Sequence, residues 1–139
     1  MVQIAGKSRD ETILVVDDAE AIRKMVCVML AQSGYNCLEA GDGLEAIRML
    51  ESTDNQIHLV LTDVVMPKMN GADLARHLSS VRPDLRIVFM SGYTEDPAVR
   101  RVERTPHIFL PKPFTAAALT EKVREALDLP WTGLPGTWS

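Results

Sequence analysis

Three carboxylates, a hydroxyl and an ammonium stand at positions of this sequence where one fold could bring them together. Asp17 and Asp18 are adjacent, and Asp63, Ser91 and Lys112 follow later in the chain. Neighbouring carboxylates repel one another unless a cation compensates them, and oxygen ligands with open positions suit Mg²⁺. A lysine and a serine can donate to phosphoryl oxygens, and an aspartate can act as the nucleophile. Together the five residue types indicate phosphoryl transfer.

These side chains each come directly after an apolar run. The sequence holds five such runs, separated by stretches with helical spacing: 13–16, 35–40, 59–61, 87–90 and 108–110. Runs one, three and four are almost wholly apolar, as in parallel strands covered on both faces, whereas the mixed second run suits an edge strand. Five strand–helix repeats predict a three-layer α/β sandwich, in which ligands bind at the carboxyl ends of the strands.

Apolar residues at helical spacing predict the helices that cover this sheet. The first stripe comprises Ile22, Met25, Val26, Met29 and Leu30, and Gly34 is expected to end that helix. Further stripes comprise Leu44, Ile47 and Leu50, then Leu74, Leu78 and Val81, then Leu119, Val123 and Leu127. A shorter helix is expected from Thr94 to Val102, with Pro97 in its first turn.

Size and charge narrow the class of protein. The chain has 139 residues and a net charge of −4, which fits one folded domain. Its 15 basic residues are scattered, which argues against direct nucleic-acid binding. No apolar run is long enough to span a bilayer, so no membrane contact is expected of this domain. We expect a linker or disordered start at 1–10, a folded domain at 11–128 and a disordered tail at 129–139.

The cysteines and histidines are not expected to take part in the predicted site. Cys27 and Cys37 are expected to be free thiols in a reducing cytosol. The three histidines, at 58, 77 and 107, are expected at element boundaries or on the surface. Taken singly, an aspartate at a strand end could also be only a helix cap. Four strand ends that all carry complementary groups are much harder to explain in that way.

The ordered set of motifs resembles the receiver domain family of response regulators. The matching pieces are ILVVDD ending at Asp18, LTDVVMPKMNG around Asp63, FMSGY around Ser91 and FLPKPF around Lys112. The resemblance covers roughly residues 11–127. It implies a flavodoxin-like (βα)5 fold with strand order 2-1-3-4-5. It also implies that Asp63 is phosphorylated and that Lys112 pairs with the phosphoryl group.

Further roles follow from the same resemblance. Asp17, Asp18, Asp63 and the backbone carbonyl of Val65 would bind Mg²⁺. Ser91 would be the switch hydroxyl, and Gly92 would keep the approach to the acceptor open. Phe109 takes the place of the more frequent switch tyrosine, and Pro113 would follow a cis peptide bond. The usual signalling face would include Val99, Arg100, Val102 and Phe109.

Polar residues common in the family are absent beside the predicted acceptor. Val65 and Tyr93 stand there instead, which predicts slow self-dephosphorylation. The sequence leaves open whether the domain counts as an enzyme; it would be a phosphoacceptor that assists its own phosphorylation and dephosphorylation.

The pieces SGYT at 91–94 and LPKPF at 110–114 look most like receivers fused to the C-terminus of hybrid sensor histidine kinases. The receiver would lie in the cytoplasm, whether or not the parent kinase is attached to a membrane. A free-standing regulator is the alternative origin. The partners would be a sensor histidine kinase, in cis if hybrid, and a His phosphotransfer protein. Two rival functions are an unphosphorylated pseudo-receiver that only binds partners and an aspartate-nucleophile phosphatase.

Overall fold

A five-stranded parallel sheet lies between two layers of helices in the computed structural model, which describes residues 11–52, 56–92 and 96–129. The elements are β1 (Thr12–Val16), α1 (Glu20–Gln32), β2 (Asn36–Ala40), α2 (Gly43–Glu51), β3 (Leu59–Asp63), α3 (Gly71–Val81), β4 (Arg86–Ser91), α4 (Pro97–Glu103), β5 (Ile108–Pro111) and α5 (Ala116–Asp128). The strand order is β2-β1-β3-β4-β5. The predicted sandwich and its strand order are confirmed, with β2 at an edge.

Alternate residues of each strand enter opposite layers of the core, as the period of a strand requires. Ile13 and Val15 of β1 pack in the layer covered by α1 and α5. Leu14 and Val16 pack in the layer covered by α2, α3 and α4. Strands β1 and β3 are buried on both faces, which explains why apolar residues follow one another in them instead of alternating with polar ones. This packing fixes where each strand ends.

Polar caps set where four of the helices begin. Asp42, Asn70, Asp96 and Thr115 each accept a hydrogen bond from a backbone N–H in the first turn of α2, α3, α4 and α5. Helix α4 therefore starts at Pro97, not at Thr94 as predicted, because the extended Asp96 caps it. Gly34 follows the end of α1 with a φ of 92°, as expected for a glycine at that position.

Several side chains expected in the core are exposed. Met25 is 41% exposed, Leu44 43% and Val81 58%. Each lies at the margin of a helical stripe, where the helix surface turns away from the sheet. Conversely, Val99 and Val102 lie on the buried side of α4, so their side chains are unavailable to the signalling face on which they were expected.

The expectation of two free thiols is wrong for this structure. Cys27 of α1 and Cys37 of β2 are joined by a disulfide, with their Cα atoms 5.8 Å apart. The pairing depends on how α1 packs on β2, which spacing alone does not reveal. The predicted linker at 1–10 and the predicted tail from 130 onward lie outside the described residues. Within the described ranges, no helix has the length and hydropathy to cross a bilayer.

Candidate functional site

The sheet brings the predicted site residues to one edge. Strands β1 and β3 are neighbours, with Val16 opposite Thr62, so Asp17 and Asp63 follow at adjacent strand ends. Strand β4 lies beside β3, and Ser91 at its end pairs with Pro111 of β5. The carboxyl ends of parallel strands point the same way, which explains why positions far apart in sequence meet here.

Asp17 is held on both carboxylate oxygens. Its Oδ1 accepts from the backbone N–H of Ala19 at 2.9 Å, and its Oδ2 accepts from Lys112 Nζ at 3.0 Å. Its side chain is 1% exposed. A carboxylate this buried needs such charged and hydrogen-bonding partners, since it has left water.

Asp63 lies next to the same ammonium. Its Oδ2 is 3.5 Å from Lys112 Nζ, and its Oδ1 accepts from the N–H of Val64 at 2.9 Å. Burial raises the pKa of Asp63 to about 6; the Lys112 charge opposes that rise and the Asp17 charge adds to it. The largely buried carboxylate thus lies close to the positive charge of Lys112 and to the negative charge of Asp17.

The three aspartates form a set that fits a hard cation. Asp17, Asp18 and Asp63 can each offer one carboxylate oxygen within 4.8 Å of the others. Asp18 is exposed, so the set opens toward solvent. All-oxygen donors, few in number and open on one side, match the way Mg²⁺ retains water and accepts phosphate oxygens. Val65, in the loop after β3, is 40% exposed, and its carbonyl as a ligand stays a prediction.

The two predicted switch residues lie on the neighbouring strands. Ser91 is buried at the end of β4, and its hydroxyl donates to the carbonyl of Gly92 at 3.2 Å. Phe109, on β5 beside Phe89, is partly buried against the core under α2, α3 and α4. Their switching roles stay predictions. Tyr93 lies outside the described residues.

Gly71 closes the loop behind Asp63, a role that sequence reasoning did not assign. Its N–H donates to the carbonyl of Val64 at 2.7 Å. A Cβ at Gly71 would overlap the backbone carbonyl of Asp63 and lie 3.0 Å from the Cα of Val64. The glycine in the motif after Asp63 was the available signal, because only glycine permits such a close backbone approach.

A groove of about 530 Å³ opens beside Lys112. It is lined by Ile22, Met25, Gly92, Lys112, Pro113 and Phe114. The peptide bond between Lys112 and Pro113 is cis, as expected. Sequence reasoning missed this surface because it placed Met25 in the core. Its lining is mainly apolar, apart from the ammonium that also reaches the site.

Arg23 is a second residue that sequence reasoning missed. Its guanidinium donates to the backbone carbonyl of Asp17 at 2.9 Å and to Glu39 Oε1 at 2.9 Å. The available signal was an arginine in the first turns of a helix that begins right after two candidate metal ligands.

Comparisons with known proteins agree with this geometry. Residues 13–124 match the family described as response regulator receiver domain. The chain is 38% identical over 122 residues to the sensor kinase CckA of Brucella abortus (strain 2308), covering 87% of this chain and 13% of that protein. It is 42% identical over 118 residues to the DNA-binding transcriptional regulator NtrC of Azospirillum brasilense, covering 84% and 24%. The chain thus spans a quarter or less of these two relatives.

Solved structures show the same fold. The receiver domain of the hybrid histidine kinase CckA superposes with a TM-score of 0.69 at 31% identity, covering 84% of this chain and 99% of that one. A response regulator receiver domain protein from Clostridium thermocellum gives a TM-score of 0.76 at 28% identity, covering 85% and 94%. The chain therefore belongs to the response regulator receiver domain family, the phosphoacceptor modules of two-component signalling.

Proposed function

We propose that Asp63 is the phosphorylated residue and that Mg²⁺, Lys112 and Ser91 assist the transfer. The observation that carries this proposal is the Lys112 ammonium, 3.0 Å from Asp17 and 3.5 Å from Asp63 at one edge of the sheet. A nucleophile, an acidic cation site and a point donor for a phosphoryl oxygen occupy one partly enclosed pocket. The folded domain would extend over 11–128.

The proposed step moves a phosphoryl group from a phosphohistidine to Asp63. A carboxylate oxygen of Asp63 bonds to phosphorus while the phosphorus–nitrogen bond breaks, and the imidazole nitrogen keeps the electron pair. Because the pKa of Asp63 is about 6, most molecules carry the ionised nucleophile at neutral pH. Lys112 then donates to a phosphoryl oxygen, as a compact cation on a flexible stem can.

Mg²⁺ would be held by the carboxylates of Asp17, Asp18 and Asp63 and by the backbone carbonyl of Val65. When bound, it would neutralise charge on the phosphoryl oxygens and so favour transfer onto a carboxylate. The N–H of Ala19 orients the Asp17 carboxylate toward this task. Val65, in the loop after Asp63, has an apolar side chain that cannot position a water, which supports slow self-dephosphorylation.

The phosphoryl group would then act through Ser91 and Phe109. The Ser91 hydroxyl, which now donates to the Gly92 carbonyl, would turn to a phosphoryl oxygen. Phe109 would change its packing in response, because it lies only partly buried at the surface of the core. Phosphorylation would in this way alter the surface of the protein near β5. In a relay, the domain would instead pass the phosphoryl group to the next protein.

The proposed donor of the phosphoryl group is a sensor histidine kinase. In a relay, the proposed acceptor is a His phosphotransfer protein. The apolar groove lined by Met25, Pro113 and Phe114 supports docking of such a histidine-bearing partner, since it leads directly to Lys112. The likeness to CckA supports an origin in a hybrid kinase. We place the domain in the cytoplasm, where it needs no membrane contact and no direct contact with nucleic acid.

One experiment separates this proposal from its rivals. The protein is incubated with acetyl phosphate and Mg²⁺, and its intact mass is measured. We expect the mass to rise by one phosphoryl group, and the increase to vanish in Asp63→Asn and without Mg²⁺. Asp84→Asn is the matched control, because that side chain is exposed and pairs only at the surface with Arg82. No adduct would favour a pure binding module, whereas sustained hydrolysis of phosphate esters would favour a phosphatase.

A further inference from the structure

Arg23 lies in the second layer of contacts around the acidic pocket. It follows Asp17 by six positions, near the start of α1, and its side chain is only 16% exposed. We infer that Arg23 is a positioning residue: it fixes the backbone of Asp17 against β2 and thereby sets the affinity of the pocket for Mg²⁺. This inference rests on the proposed function, because it assumes that the aspartates hold Mg²⁺.

The backbone of Asp17 is bracketed from two sides. Its N–H donates to the carbonyl of Ala40 at 3.2 Å, and its carbonyl accepts from Arg23 Nη1 at 2.9 Å. The peptide groups on either side of the Asp17 Cα are therefore both tied to neighbouring elements. These two bonds fix the backbone from which the Asp17 side chain extends, while Ala19 and Lys112 hold its oxygens directly.

The guanidinium is itself anchored on the edge strand. Its Nε donates to Glu39 Oε1 at 2.9 Å, and Lys24 Nζ lies 3.2 Å from the other oxygen of Glu39. Burial would raise the pKa of Glu39, but the hydrogen bonds and charges of Arg23 and Lys24 outweigh it and lower that pKa. The anchor is thus ionised at neutral pH. A planar fork that reaches two acceptors in fixed directions is what distinguishes arginine from lysine.

Positioning and simple charge effects predict opposite signs. Removing a positive charge near three carboxylates would strengthen Mg²⁺ binding, if charge alone mattered. Losing the bond that orients a metal ligand weakens binding, typically by about tenfold to a hundredfold. The direction of the change therefore identifies the role of Arg23.

The test is calorimetric titration of Mg²⁺ into the unphosphorylated protein. We expect Arg23→Gln to bind Mg²⁺ about tenfold or more weakly. Arg23→Lys, which keeps the charge and one possible donor, should recover part of that loss. Lys24→Gln is the matched control, because it also removes one positive charge. Lys24 contacts Glu39, as Arg23 does, but it does not contact Asp17. This variant should bind Mg²⁺ at least as tightly as the parent.

Urea unfolding without Mg²⁺ accompanies each titration. A residue that only stabilised the fold would lower the free energy of unfolding but leave the Mg²⁺ affinity of the folded protein unchanged. Parent-like or tighter binding by folded Arg23→Gln would overturn the inference. If that variant does not fold, Arg23→Lys decides: weaker binding supports the inference and parent-like binding overturns it. Should the parent itself bind no Mg²⁺, the proposed function fails instead.

Discussion

Lys112, at the end of β5, reaches past β4 and β3 to place its ammonium 3.0 Å from the carboxylate of Asp17, at the end of β1. In this arrangement the Lys112 ammonium compensates the buried charge of Asp17, although the strand that carries Asp63 lies between their two strands. In the proposed function, the same ammonium would be available to a phosphoryl group on Asp63 and would compete with Mg²⁺ for Asp17. Its removal should affect the two functions in opposite directions.

Lys112→Gln should slow phosphorylation by acetyl phosphate by about a hundredfold, because one charged donor to the transferring group is lost. Mg²⁺ binding should stay the same or become tighter, since the aspartates lose a competing cation. Intact-mass kinetics and Mg²⁺ calorimetry check the two parts. Lys122→Gln is the control, because Lys122 pairs with Glu125 on α5, away from the site. Equal losses in both measurements would show that Lys112 mainly organises the pocket.

The site could be predicted from sequence because it depends on strand ends. Apolar runs locate the strands, and parallel strands bring their carboxyl ends to one edge, so Asp17, Asp63, Ser91 and Lys112 had to converge. The type of each element and its place along the chain follow from these short apolar runs and from the helical period of 3.6 between them. These features are encoded locally, residue by residue.

What the sequence did not reveal depends on how elements pack. Met25 belongs to an apolar stripe by spacing, yet α1 turns it outward, where it lines the groove beside Lys112. The disulfide between Cys27 and Cys37 requires α1 to cross β2 at one particular place. Arg23 contacts the site through the backbone carbonyl of Asp17, and its ion pair with Glu39 forms only because α1 packs on β2. His107 lies directly before β5, at an element boundary as expected, but its partial burial could not be inferred from the sequence.

Gly71→Ala should destabilise the fold by about 1–3 kcal/mol, because its Cβ would overlap the carbonyl of Asp63 and the backbone there has little room to move. Gly92→Ala is the matched control. A Cβ at Gly92 meets nothing within 4 Å, so its free energy of unfolding should stay within about 0.5 kcal/mol of the parent value. Urea denaturation of both variants measures the difference. Equal stability of the two would show that the loop after Asp63 relaxes freely.

Asp63→Asn should stabilise the metal-free protein at neutral pH. Burial raises the pKa of Asp63 from 3.8 to about 6, so the folded state binds this proton more tightly than the unfolded state does. Stability from this group is therefore lost as the pH rises from about 4 to about 6. Asn carries no such cost, and we expect a gain of about 1 kcal/mol above pH 6, after allowance for solvent screening.

That gain should shrink as the pH falls from about 6 toward 4 and vanish below the unfolded-state pKa of 3.8, where Asp63 is protonated in both states. Urea denaturation in a chelating buffer at several pH values measures it, with Asp84→Asn as the exposed control. A gain that does not depend on pH would point to packing, not to the charge of Asp63. Added Mg²⁺ should stabilise the parent and leave Asp63→Asn almost unchanged.

His107 should make the protein less stable in mild acid. Its ring lies edge-on to Phe89, with centroids 5.7 Å apart, and burial lowers its pKa from 6.5 to about 4. The unfolded state takes up the proton first, so the stability from the neutral ring is present above pH 6.5 and is lost as the pH falls toward 4. The full loss is at most about 3 kcal/mol.

His107→Gln removes this titration. The difference in unfolding free energy between parent and variant should therefore change steadily between pH 6.5 and pH 4, to the disadvantage of the parent. His77→Gln, which alters an exposed histidine on α3, should leave the pH dependence of the parent unchanged. Urea denaturation across this range measures all three proteins. If the curves of unfolding free energy against pH are parallel for the parent and His107→Gln, the ring takes up its proton while it stays beside Phe89. Other groups would then cause any loss of stability in acid.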